Sequence, residues 1–140
     1  MKSTRHPVTP ARMERIKEVL RTALAARTEI LFAYLFGSCL EGDHCGDLDL
    51  AVYVRPDTVP ESAFDYEAEL AGELEPSIGL PVDVVLLNGA APPLRYHASC
   101  GELLLSRDEP ARYGFLERTW RDYFDYQHYR RRFLLDVLEA

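Results

Sequence analysis

The sequence predicts an α/β or α+β domain with about four strands, on three observations. Four short apolar runs, 28–36, 47–54, 81–87 and 101–106, are rich in Leu, Val, Phe and Tyr and stop at turn-forming residues. The segments between them carry apolar residues three or four apart, the period of a helix with one buried face. Helix and strand therefore alternate along the chain, and no internal repeat or low-complexity segment interrupts them.

Thr9-Pro10 starts the first helix, with a hydroxyl N-cap and proline at the first helical position. Met13, Ile16, Leu20 and Leu24 line its inner face, and Arg12, Arg15, Lys17 and Arg21 lie elsewhere on it. Prolines make 55–60 a loop. A second helix is expected over 61–75, with Phe64, Ala68, Ala71 and Leu74 inward, its acids outward and Pro76 and Gly79 as its stop. Asn88-Gly89 reads as a turn and 94–99 as a short helix. The segment from about Pro110 is helical, with Tyr113, Leu116, Trp120, Tyr123 and Gln127 on one stripe and Phe133, Leu134, Val137 and Leu138 on another.

The chemistry concentrates between Leu35 and Val54. The first strand stops at Gly37-Ser38, where glycine lets the backbone pass close to a ligand and the serine hydroxyl can hold phosphate. In the next strand Asp47 and Asp49 alternate with Leu48 and Leu50, so both carboxylates share one face. Two like charges side by side repel unless a cation sits between them, and Mg²⁺ takes oxygen ligands. Asp83 lies inside the apolar run 81–87, where a buried unpaired acid is costly. A neighbouring strand bearing Asp83 completes a three-acid site. A phosphate cradle with metal-binding carboxylates suits phosphoryl or nucleotidyl transfer.

Gly37-Ser38, Asp47-x-Asp49 and the later Asp83 resemble the polymerase-β-type nucleotidyltransferase superfamily, and the short length resembles its minimal members, the MNT antitoxins paired with HEPN-domain toxins. The resemblance implies a mixed sheet flanked by helices, residues 1–140 forming one domain with a helical tail from about 110. It also implies Mg²⁺ and ATP as cofactor and AMP donor, and a tyrosine of a HEPN ribonuclease toxin as acceptor. Asp47, Asp49 and Asp83 are then the catalytic and metal-binding residues, with Gly37 and Ser38 on the phosphates. The chain departs from the family pattern in a shorter loop before Asp47, in Glu41 where many members have Arg, and in Gly46 where Ser is frequent. Two alternatives stay open: a non-catalytic antitoxin that acts by binding alone, and a small-molecule nucleotidyltransferase.

Composition bounds these readings. A chain of 140 residues with 47% hydrophobic and 28% charged residues suits one globular domain. No run reaches the roughly 20 apolar residues of a membrane span, and the polar first residues predict no signal peptide. Three sparse cysteines, Cys39, Cys45 and Cys100, predict free thiols and a cytoplasmic setting. The net charge of −7 gathers between Glu41 and Asp83, which repels a phosphate backbone and disfavours free nucleic acid as a ligand. Arginines gather after Arg107 and could face ATP phosphates, an acidic partner or solvent. Cys39, His44 and Cys45 lack a second ligand pair for zinc. Arg121 with His128-Tyr129 is similar to the HEPN signature, but the strand-rich centre excludes an all-helical bundle. His97 reads as structural.

Overall fold

The computed structural model describes residues 6–40 and 44–139, with the side chains of 6, 44 and 45 set aside. Glu41 and the His44 and Cys45 side chains of the zinc reading therefore lie outside it. In chain order the elements are β1 (His6–Pro7), α1 (Pro10–Ala25), β2 (Ile30–Phe36), a 3-10 turn (Ser38–Leu40), β3 (His44–Cys45) and β4 (Leu48–Val54). A second 3-10 turn (Pro56–Thr58), α2 (Ala63–Ile78), β5 (Val82–Leu86), α3 (Pro92–Ser99), β6 (Glu102–Ser106) and α4 (Glu109–Glu139) follow. The main sheet has the order β5-β4-β2-β6 and is mixed: β2 runs antiparallel to β4 and β6, while β4 and β5 are parallel. β1 and β3 make a separate two-residue antiparallel ribbon. The expected α/β class with a four-stranded mixed sheet flanked by helices is the observed one.

β2 is central because both of its faces are apolar. Ile30, Ala33 and Leu35 join Leu48, Leu50, Val52 and Val54 of β4 in a core under α1 and α2. Phe32, Tyr34 and Phe36 join Ala51, Leu87, Ala98 and Phe115 in a second core under α3 and α4. There Phe32 stacks on Tyr53 at 4.7 Å and meets Phe115 at 5.3 Å between ring centroids. Helices thus cover the sheet on both sides.

α1 starts as expected, the Thr9 hydroxyl accepting from the Arg12 N–H. Its Lys17 is buried rather than outward, its ammonium paired with Glu102 at 3.0 Å and Glu14 at 3.2 Å. Its last carbonyls, on Leu24 and Ala25, accept from the Arg107 guanidinium, which also reaches Ile30 and Arg27 oxygens. This satisfies a helix end from across the fold.

α2 corrects two expectations. It runs through Pro76 to Ile78, where Gly79 closes it in the left-handed region at φ 80°. Proline in the last turn forfeits a single backbone bond, and buried Ile78 holds that turn in the core. The inward face is Leu70, Leu74 and Ile78, with Phe64 76% exposed, because large aliphatic side chains bury more area than alanines. Two acids also turn inward. Glu67 accepts from Leu86 N–H at 2.7 Å and Glu75 from Val82 N–H at 2.9 Å, so α2 satisfies the outer donors of edge strand β5.

α4 is corrected as well. Phe115 and Thr119 are its buried residues, whereas Tyr113 and Trp120 are 59% and 44% exposed. Trp120 and Tyr123 pack against Tyr96 of α3, not against the sheet. Beyond Tyr123 the helix projects with both polar and apolar side chains exposed.

Candidate active site

The site lies on the sheet face shared with α3 and α4, at the end where β2 stops and β4 begins. Phe36, the last residue of β2, sits opposite Asp49 in the β2–β4 register. The chain then reverses at Gly37, with φ 91°. A Cβ at Gly37 would strike the Asp49 carboxylate, so both the backbone angle and the space require glycine. Ser38 begins the 3-10 turn, closed by Leu40 N–H donating to Gly37 O at 3.2 Å. The Cys39 sulfur lies 3.1 Å from the Asp47 carbonyl oxygen, which brings the turn onto the start of β4. Cys39 is disulfide-bonded. This corrects the expectation of a free thiol at Cys39. The free cysteine among the described residues is Cys100.

Leu48 and Leu50 are fully buried on the opposite face, leaving Asp47 exposed and Asp49 half-buried at the cleft. Asp83 stands directly beside Asp49 in the parallel β4–β5 register, so the two carboxylates leave the sheet on one side. The alternation in β5 exposes Asp83, so the desolvation argument made from its apolar neighbours does not hold. Register, not burial, is what brings it to the site. The Asp49 carboxyl is raised above the ordinary carboxylate range, first by burial and then by the charges of Asp83 and Asp47. Asp83 and Asp47 therefore both act on Asp49 electrically.

The donor chemistry fits a hard divalent cation: oxygen ligands only, with mutual repulsion that a cation relieves. Among the described residues, however, no group of three or more His, Cys, Asp or Glu side chains is placed to hold a metal ion. A cavity of about 230 Å³ opens beside Asp49 at the Gly37-Ser38 turn, lined also by Phe36, Leu40, His97, Cys100 and Gly101. His97, read as structural from the sequence, lines this cavity. Its ring meets Phe36 edge to face at 5.6 Å, and its charge draws the Asp49 carboxyl down against the larger upward effects. A lone histidine in a short helix carries no sequence signal for this placement. A larger cavity, about 440 Å³, lies behind the turn, but its cation, Lys17, is engaged by Glu14 and Glu102.

The profile of the polymerase β nucleotidyltransferase family matches residues 14–110, which spans α1 to the start of α4 and every one of these acids. The chain belongs to this family. Solved structures extend the likeness beyond the matched segment. A Shewanella oneidensis MNT antitoxin, in complex with a tri-AMPylated HEPN toxin, is 23% identical, with 91% of this chain and 98% of that chain covered and a TM-score of 0.68. A toxin–antitoxin structure with AMP-PNP is 24% identical, with 87% and 98% covered and a TM-score of 0.70. A point variant of an MntA–HpeT toxin–antitoxin complex is 27% identical, with 90% and 97% covered and a TM-score of 0.67. No curated protein sequence matches the chain. The nucleotidyltransferase thus shares its fold with MNT antitoxins across nearly their whole length.

Proposed function

We propose that this chain is a Mg²⁺-dependent antitoxin that transfers AMP from ATP to a tyrosine of a cognate HEPN ribonuclease toxin. One observation carries the reading: Asp49 and Asp83 stand side by side on β4 and β5, with Asp47 two residues away and the Gly37 turn packed on Asp49. Family membership and the fold shared with MNT antitoxins support it.

Asp47 and Asp49 are the residues that would hold Mg²⁺, with Asp83 beside them. The ion supplies charge neutralisation to the phosphates and to the oxygen that leaves. Gly37 and Ser38 receive the β- and γ-phosphates. Asp83, exposed at the mouth of the cleft, accepts the proton of the tyrosine hydroxyl, whose ordinary pKa of about 10 requires such help near neutral pH. The tyrosine oxygen bonds to the α-phosphorus as its bond to the β-phosphate oxygen breaks, and pyrophosphate departs. The resulting AMP anion, placed beside an RNA-cleaving site, blocks it by charge and bulk.

The toxin docks on the projecting half of α4, where Tyr129 is 74% and Phe133 58% exposed among Arg130, Arg131 and Arg132. Residues 1–140 act as one domain in the cytoplasm, on a protein partner and not on free nucleic acid or a membrane. No helix among the described residues is long and apolar enough to cross a membrane, which agrees with that setting.

A second reading, neutralisation by binding alone, draws on the finding that among the described residues no three His, Cys, Asp or Glu side chains are placed to hold a metal ion. Intact-mass measurement of the toxin after incubation with this protein, Mg²⁺ and ATP decides between them. Transfer adds the mass of one or more AMP groups, and the double variant Asp47→Asn, Asp49→Asn adds none. An unmodified toxin that is nevertheless silenced supports the binding reading.

A further inference from the structure

The imidazole of His97 has no hydrogen-bond or ion-pair partner among the described residues. Here the ring is held only by its edge-to-face contact with Phe36, at 5.6 Å and 89°. That contact orients the ring, and the residue is exposed and lines the cavity, where a ligand can reach it. The residue across the sheet from Phe36 is Asp49, so His97 and the carboxylates flank the same turn.

The cavity that His97 lines with Gly37 and Ser38 has a definite chemical character. Its volume, about 230 Å³, is below the roughly 300–1,000 Å³ of pockets that take a whole drug-sized ligand. It is large enough for part of a phosphate chain. Ser38 offers a hydroxyl, and among the described residues His97 is the only side chain lining it that can carry positive charge. Arg95, on the same helix, is already engaged by Asp122 at 2.9 Å.

We propose that His97 is a phosphate-binding residue of the donor site, its ring N–H donating to the triphosphate chain seated over Gly37-Ser38. The inference rests on the nucleotidyltransferase reading above. Neutral imidazole keeps one N–H donor, so the contact exists in either protonation state. Negative charge grows on the departing pyrophosphate, so the same hydrogen bond strengthens as the reaction proceeds. His97 thereby contributes to both donor binding and turnover.

The test compares wild type with His97→Ala and His97→Gln. The residue is exposed, so both variants should melt close to wild type. Titration calorimetry with Mg·ATP should show binding weakened about tenfold or more in His97→Ala, while AMP affinity changes less than about threefold. His97→Gln, which keeps an N–H donor, should recover part of the loss. Cys100 lines the same cavity and is free, so its alkylation, read by peptide mapping, is a second readout. Mg·ATP should protect Cys100 in wild type and fail to protect it at the same concentration in His97→Ala. Unchanged ATP affinity in both variants overturns the proposal, and so does an equal loss for ATP and AMP. A wild type that binds AMP-transfer partners but no Mg·ATP overturns the nucleotidyltransferase reading together with it.

Discussion

Asp49 is the residue on which the site turns. It is pressed by Gly37 from one side, by Asp83 across the strand pair and by Asp47 along its own strand. Its carboxyl is raised because burial and two like charges disfavour the ionised form. The sign of the consequence follows from that direction. A carboxyl with a higher pKa in the folded than in the unfolded state disfavours folding once ionised, and the penalty fades as pH falls through the raised value. Removing a neighbouring charge should act in the same sense as lowering the pH. Asp83→Asn is therefore expected to raise the melting temperature of metal-free protein modestly at neutral pH. The same change should shrink the stabilisation that millimolar Mg²⁺ gives the wild type, since a donor is lost. Thermal melts with and without Mg²⁺ check both halves, and equal metal shifts in the two proteins would remove Asp83 from the site.

Among the elements, α2 and α4 are held by contacts that differ in kind. α2 supplies hydrogen bonds to a sheet edge. Truncating Glu67 leaves the Leu86 N–H without its acceptor, so Glu67→Ala should cost about 1–3 kcal/mol and speed hydrogen exchange at the Leu86 amide. Unaltered exchange there would mean that water replaces the carboxylate freely. α4 supplies apolar bulk through Phe115, only 2% exposed and packed on Phe32 and Tyr53. Phe115→Ala should cost about 3–5 kcal/mol in denaturant unfolding. Trp120→Ala should cost clearly less, because the indole is 44% exposed and rests on Tyr96 and Phe124. A reversed order of the two losses would show that α3 and α4 hold the fold more than the sheet contact does.

At the scale of the whole molecule, the proposed catalytic and docking regions occupy different places. The acids sit at one end of the sheet, whereas α4, 31 residues and so about 46 Å long at ~1.5 Å per residue, carries its last turns beyond the core. Tyr126, Tyr129, Phe133 and Val137 recur three or four apart on that projecting half and are all exposed. Such a stripe, on the half of α4 whose side chains are all exposed among the described residues, suits a partner helix. The double change Tyr129→Asp, Phe133→Asp should leave the melting temperature within about 2 °C of wild type, as expected for surface positions. It should abolish co-purification with the toxin. Retained co-purification would place the docking surface elsewhere, and a lower melting temperature would mean that the stripe packs within the protein.

Much of this was legible in the residues alone, because some features depend only on local chemistry. Two-residue alternation placed Asp47 and Asp49 on one strand face opposite buried Leu48 and Leu50, and Thr9-Pro10 marked a helix start in any context. Read from the sequence, glycine at 37 lets the backbone approach a ligand, and the group that packs on it in the fold is the Asp49 carboxylate. Other features depend on what lies across space. Whether Phe115 or Trp120 faces the core is decided by how α4 crosses the sheet, and the stripe read through Trp120 from the sequence leaves Phe115 out. The inward turn of Glu67 and Glu75 exists only because β5 is an edge strand with unsatisfied N–H groups. His97 reaches the cleft because α3 packs against the end of β2, a placement no spacing in the sequence encodes. Local pattern thus determined the elements and the carboxylates, while strand register and helix packing, which follow from burying the largest side chains together, decided which of them meet.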